Sequence, residues 1–115
     1  MKEAEFIHMK RPKKFMKNTY KLIWSDEALN NLKNIIDYLE YKWTKKEIKK
    51  FAKLFDKQVD LIVDNPLLFP KTDKSKDIRK SVLTKHTSIY YKINKYDIEL
   101  LSIFDNRQDP EKLKI

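Results

Sequence analysis

The sequence predicts an α+β domain of order β-α-α-β-β-β, with a helical hairpin packed on one face of a small, mainly antiparallel sheet. Three observations carry that expectation. Apolar residues recur every three or four positions from Ala28 to Ile62, interrupted once by a helix-start signal at Thr44. From Ile78 the period drops to two, and β-branched and aromatic residues dominate. The connections between these later runs, Lys85-His86 and Asn94-Lys95-Tyr96-Asp97, are hairpin lengths.

Residues 1–19, MKEAEFIHMKRPKKFMKNT, are basic, have no sustained period and precede a single domain at residues 20–115. Their core, Lys10-Arg11-Pro12-Lys13-Lys14, can bury little. It reads as a flexible extension, as a nucleic-acid-binding arm, or as sequence upstream of a later start at Met9 or Met16.

Tyr20–Trp24 is a short strand, ended by Ser25-Asp26, residue types that cap helices. Between Glu27 and about Trp43, the residues Ala28, Leu32, Ile35, Ile36, Leu39 and Trp43 form one apolar stripe. Asn30, Lys33, Asn34, Asp37 and Glu40 fall largely outside it. Thr44-Lys45-Lys46-Glu47 has the spacing of a capping box and opens a second helix almost at once. Ile48, Phe51, Ala52, Phe55, Val59 and Ile62 lie within about ±60° of one another on its wheel, and Lys46, Lys50, Lys53 and Lys57 lie opposite. Asn65-Pro66 ends this helix, because proline disfavours helical geometry in the residue before it.

Leu67-Leu68-Phe69-Pro70 is an apolar connector, expected under the hairpin, and the polar run Lys71–Asp77 reads as an exposed loop. Strands are expected at Ile78–Thr84, Thr87–Ile93 and Ile98–Asp105, with Asn94 in the left-handed conformation that glycine would usually supply. The first strand joins the same sheet. Alternation turns Ile89, Tyr91, Ile93, Ile98, Leu100 and Phe104 toward the helices, and Tyr90, Lys92, Leu101 and Ile103 away from them. No segment is left over to cover that second face, so it is expected to be a partner surface.

Composition removes many functions. The chain has 115 residues, room for one domain, and an ordinary 41% of apolar residues. It has no cysteine and no glycine, and its two histidines are His8 and His86. Disulfide frameworks, thiolate zinc sites and cysteine nucleophiles are excluded, and imidazole metal clusters nearly so. Glycine-rich phosphate loops, dinucleotide fingerprints and nucleophile elbows are excluded as well. No metal or cofactor is expected. Without a signal-peptide core or a membrane-length apolar run, the chain reads as cytoplasmic. The net charge of +9 suits an acidic or nucleic-acid partner.

Several residues could carry chemistry. Arg79 and Arg107 suit one phosphate-binding groove through bidentate hydrogen bonds; alternatively Arg79 pairs with Asp77 or Asp105. Lys80, Lys85 and His86 complete a basic set. The turn at Lys85-His86 is expected at the opposite end of the sheet from Arg79 and Arg107, so one site using all five is not expected. His86 is either a general acid or base or a polar turn residue. Of Tyr90 and Tyr91 one ring points outward, where it could stack a nucleobase or simply sit on the sheet surface. The Lys46, Lys50, Lys53, Lys57 stripe reads as a nucleic-acid contact or as a solvated face. Leu54 and Leu61 lie some 120–140° from the centre of the second helix's apolar stripe and are expected to be exposed.

These segments together resemble a family. Ile23-Trp24-Ser25-Asp26-Glu27-Ala28, followed by Leu32, Ile35 and Tyr38, resembles the opening of RelE/ParE-type toxins of bacterial type II toxin–antitoxin systems. Phe51 and Asn65-Pro66 match their second helix. Ile78-Arg79-Lys80, Ile89-Tyr90-Tyr91-Lys92-Ile93 and Ile98 to Pro110 resemble the three C-terminal strands and the terminal arginine motif. The resemblance covers residues 20–113 and implies the same β-α-α-β-β-β fold.

It also implies a toxin, neutralised by an acidic, partly disordered antitoxin. RelE-like members cut mRNA in the ribosomal A site without a metal, using basic side chains with a tyrosine or histidine. ParE-like members lack that set and are associated with inhibition of DNA gyrase. Arg79 and Arg107 match family arginines, whereas the C-terminal tyrosine or His-Tyr pair of the nucleases is missing after Arg107. The resemblance therefore favours a ParE-like gyrase inhibitor over a ribosome-dependent endoribonuclease, whose catalytic candidates would be Arg79, Arg107, His86 and Tyr90. Target-binding candidates are Arg79, Lys80, Lys85 and Arg107; antitoxin-binding candidates are Leu54, Leu61, Tyr90, Leu101 and Ile103. A non-toxic nucleic-acid-binding module is the reading that charge alone would allow.

Overall fold

The computed structural model describes residues 20–42, 44–73 and 77–115. The expectations for residues 1–19, for Trp43 and for residues 74–76 of the expected loop lie outside them. The elements are β1 (Lys21–Trp24), α1 (Asp26–Lys42), α2 (Lys45–Asp64), a 3₁₀ turn (Pro66–Leu68), β2 (Lys71–Asp73), β3 (Ile78–Val82), β4 (Thr87–Ile93), β5 (Asp97–Asp105) and a second 3₁₀ turn (Pro110–Lys112). They form one sheet in the order β1-β5-β4-β3-β2, with β1 parallel to β5 and every other pair antiparallel. No helix among the described residues is long and apolar enough to cross a membrane.

Of the two expected helix starts, one is capped by a side chain and the other is not. Ser25 caps α1 with its side chain: its Oγ accepts from Ala28 N–H at 2.9 Å and donates to the Leu101 carbonyl at 3.0 Å. Thr44 forms no side-chain cap, and its carbonyl alone takes the Glu47 and Ile48 amides. Thr44 is exposed, so water can satisfy the remaining amides there, whereas Ser25 sits where the chain leaves the sheet.

The core lies between the hairpin and the sheet. Ala28, Leu32 and Ile36 of α1 and Ala52, Phe55, Val59 and Ile62 of α2 pack on Ile89, Tyr91, Ile98, Leu100 and Ile103. Trp24 and Phe55 meet at 5.8 Å between ring centroids, and Phe51 stacks on Phe55 at 6.2 Å. Burying a ring such as Phe55 contributes about 1.5–3 kcal/mol, which is why the apolar stripes rather than helix propensity set this packing.

Ile103 and Phe104 exchange the faces that alternation predicts. Tyr90 pairs with Ser102 and Tyr91 with Leu100, so Leu101 has no opposite number on β4. One extra residue reverses every later side chain. Ile103, expected outside, is 2% exposed in the helix-side core. Phe104, expected inside, joins Ile78 and Tyr90 on the far face. That face is also not open: Leu113, beyond the second 3₁₀ turn, packs on the cluster with Leu101, and Tyr90 is buried.

Three smaller expectations also fail. Leu67 and Leu68 of the connector expected under the hairpin are exposed, and it is Pro66 and the half-buried Phe69 that pack inward. Lys71–Asp73, expected in a loop, pairs with β3, and Lys80 N–H reaches the Pro70 carbonyl at 3.1 Å. Polar composition reports solvent exposure, which an edge strand shares with a loop. The left-handed position among the described residues is Asp77, with φ 60°, and not Asn94. Aspartate tolerates this geometry because its short polar side chain can bond locally. The Asn94 turn closes instead through Asn94 N–H to the Asp97 carbonyl at 2.8 Å.

Candidate functional site

A groove of about 640 Å³ opens between α1 and the end of the sheet where β3 turns into β4 and β5 finishes. Asn34, Ile35 and Tyr38 line its helix side, and Thr84, His86, Asp105 and Arg107 line its sheet side. The β3–β4 turn is closed by Thr84, whose Oγ1 accepts from both His86 N–H (3.2 Å) and Thr87 N–H (3.1 Å). The chain after β5 is tied to the same turn, since Asn106 N–H donates to the His86 carbonyl at 2.7 Å. His86 and Arg107 are therefore neighbours. Antiparallel pairing of β4 with β5 places Asp105 opposite Thr87, so the expectation that the Lys85-His86 turn and Arg107 lie at opposite ends was wrong.

Arg107 is engaged by Asp105. Its Nε donates to Oδ1 at 3.0 Å and its Nη2 to Oδ2 at 2.7 Å, a bidentate fork. That guanidinium, the Arg107 amide and His86 hold the Asp105 carboxyl below the usual carboxylate range. Asp105 and, to a smaller extent, Tyr38 raise Arg107 above its ordinary value. The pair is solvent-facing, with the Arg107 side chain 61% exposed, so the fork is open to exchange with another anion.

Arg79 lies elsewhere. It stands opposite Tyr91 on β4, four residues along from the Thr87–Asp105 end, or about 13 Å at strand spacing. Its Nη1 donates to the Phe69 carbonyl at 2.6 Å. It forms neither the shared groove with Arg107 nor a pair with Asp105. Asp77, which feels Arg79 only weakly, is instead bonded to Lys71 at 2.9 Å, and that contact chiefly lowers its carboxyl. Lys80 lies 5.9 Å from the Tyr90 ring centroid on the far face, and Lys85 is exposed in the turn. Tyr90 is too buried to stack a base or to serve, like Ile103, as open apolar surface. Leu54 and Leu61 are exposed, at 40% and 43%, as expected, and Leu101 is partly buried.

The sequence reading missed Asn31, Asn34 and Tyr38 as groove residues. Their spacing of three and four puts them on one line of α1 beside the buried stripe, a signal available in the sequence. Asn31 has a second task. Its Oδ1 accepts from Ile103 N–H at 2.9 Å and Ser102 Oγ at 3.0 Å, on the β5 edge beyond the end of β1.

Residues 22–110 match the family described as the ParE toxin of the type II toxin–antitoxin system parDE. The chain belongs to the ParE toxin family. Two solved structures agree with this ParE fold. One, a chromosomal ParDE toxin–antitoxin system from P. aeruginosa, superposes with a TM-score of 0.65 at 16% identity, covering 77% of this chain and 98% of that one. The other, a YoeB/ParE toxin from Agrobacterium tumefaciens, gives a TM-score of 0.55 at 9% identity, covering 74% of this chain and 96% of that one. No curated protein matches the sequence. The ParE family implies a cognate antitoxin as partner.

Proposed function

We propose that this ParE-family chain is a binding toxin that inhibits DNA gyrase, lacks catalytic activity of its own, and is neutralised by an acidic, partly disordered antitoxin. The observation that carries this reading is the separation of the two family arginines. Arg79 is held by the Phe69 carbonyl, and Arg107 stands at the other end of the sheet beside Asp105. A nuclease has to gather its cations round one phosphodiester. A binding surface has no such need. The charge of +9 would speed the encounter with an acidic antitoxin, and the exposed Leu54 and Leu61 offer it apolar contacts.

A ribosome-dependent endoribonuclease is the second reading, favoured by the meeting of His86, Arg107 and Tyr38 in one groove. Induced expression without antitoxin separates the two. Gyrase inhibition should arrest growth with an SOS response and protein-linked DNA breaks while amino-acid incorporation continues. Collapse of translation before any DNA damage would overturn the gyrase reading in favour of the nuclease. Robust growth at high expression would overturn both and leave a non-toxic nucleic-acid-binding module.

A further inference from the structure

The charges of α2 run against its own dipole. A helix is stabilised by acids in its first turn and bases in its last. The first turn of α2 holds Lys45 and Lys46 with only Glu47 to offset them, and its last turn holds Asp64 and no base. Lys49, Lys50, Lys53 and Lys57 continue the basic run, and all six lysines are exposed. They fall within an arc of about 140° and span about 18 Å of helix. Within it, Lys45–Lys49, Lys46–Lys50, Lys49–Lys53 and Lys53–Lys57 are like-charge neighbours four apart, an arrangement that destabilises a helix. Asp56 and Asp60 share the arc toward its C-terminal end, three residues from Lys53 and Lys57, so the excess of like charge lies over Lys45–Lys53, and that part of the face suits an anionic partner.

We propose that the lysine face of α2 binds the phosphate backbone of duplex DNA. Lysines act as point charges without the planar fork of arginine, which suits a dense array of phosphates better than a few fixed carboxylates. No aromatic residue is interleaved among the six lysines on that face, whereas single strands are held by stacking on such rings. The regular spacing along the helix suits a regular array of phosphates. The choice of DNA over an RNA duplex rests on the gyrase reading, since gyrase works on DNA. The toxin would then hold the DNA of its target complex through α2 while its groove is left for other contacts.

Fluorescence anisotropy of the purified full chain with a labelled short DNA duplex tests this. Affinity should fall log-linearly with salt. The variant Lys46→Gln/Lys49→Gln/Lys50→Gln/Lys53→Gln should lower the steepness of that dependence by about 0.9 for each phosphate it no longer neutralises, and should weaken binding at low salt by about tenfold or more. Its melting temperature should not drop, because like charges have been removed. The variant Lys21→Gln/Lys95→Gln/Lys112→Gln/Lys114→Gln removes the same charge from other exposed positions and should bind far more tightly than the α2 variant. Equal weakening in the two variants, or tighter binding of a single-stranded RNA or of polyglutamate than of the duplex, would overturn the proposal. A supercoiling assay with purified gyrase keeps the two readings apart. Untouched gyrase with α2-dependent duplex binding sinks only the gyrase reading; inhibited gyrase with full duplex binding by the α2 variant sinks only this one.

Discussion

The Tyr91 hydroxyl donates to the Pro66 carbonyl at 2.6 Å, joining the middle of the sheet to the turn that ends α2. Phe69 meets the same ring edge-on at 6.4 Å between centroids, and Arg79 takes the Phe69 carbonyl. The connector at 66–70 is thus stapled to β3 and β4 at successive points. Burial pushes the Tyr91 phenol up to about 12, against a smaller opposing effect of the Arg79 charge.

Tyr91→Phe should therefore destabilise the domain by about 1–3 kcal/mol, because it leaves a buried carbonyl without its donor. Thermal unfolding followed by circular dichroism should show a drop of about 4–8 °C for each kcal/mol. A pH signature follows from the raised folded value. The contribution of the phenol is complete below pH 10 and is lost as pH rises through about 12, so only the wild type should show this alkaline loss.

The two arginines should separate under substitution. Arg79→Met removes a donor held at 2.6 Å and should lower the melting temperature. Arg107→Ala should lower it less, since that side chain is exposed and its fork to Asp105 is screened by solvent. If Arg107 contacts the target, growth arrest should weaken in Arg107→Ala with the fold intact. Equal melting temperatures for the two variants would show that the Phe69 staple carries no stability.

Asp105 offers a titration test. Its carboxyl is held low first by the Arg107 side chain, so Arg107→Ala should raise it, leaving partial burial, which raises it, opposed by the backbone amide of residue 107 and by His86. NMR of the carboxyl carbon would read this directly. For a depressed carboxylate the sign is fixed: its share of stability is present above pH 3.8 and fades as pH falls below it.

Surface and core aliphatic residues should behave oppositely. Leu54→Asp/Leu61→Asp should leave the circular dichroism spectrum unchanged and weaken antitoxin binding in calorimetry, because both side chains are exposed. Ile103→Ala should cost about 2–5 kcal/mol, the range for a buried aliphatic. An Ile103→Ala domain as stable as wild type would contradict the offset at Leu101.

The order of the helices and of every strand but β2 was legible in the sequence, as were the helix boundaries, because periodicity reports them directly. The apolar stripes from Ala28 to Ile36 and from Ala52 to Ile62 occupy the core as read. What was not legible depends on pairing. The unpaired Leu101 that exchanges Ile103 and Phe104 has no local signature, since nothing in the run Ile98–Asp105 says where β4 skips a residue. The pairing of Lys71–Asp73 and the cover supplied by Leu113 are tertiary facts of the same kind. In the groove, His86 and Arg107 were nameable as residue types, while their adjacency needed the β4–β5 register.

The parallel strand pair has a kinetic consequence. The helical hairpin and the β3-β4-β5 meander are built from contacts close in sequence, so each can form early. β1 is different: Lys21 pairs with Asp97 and Trp24 with Leu100, and Ser25 bonds Leu101 across 76 positions. Closing so long a loop costs chain entropy before any contact rewards it. Docking of β1 should thus be the late step of folding, and the four-residue strand should be the first to detach from the native sheet. Amide hydrogens that β1 contributes to the β5 ladder would then exchange through a partial opening, ahead of those shared by β4 and β5.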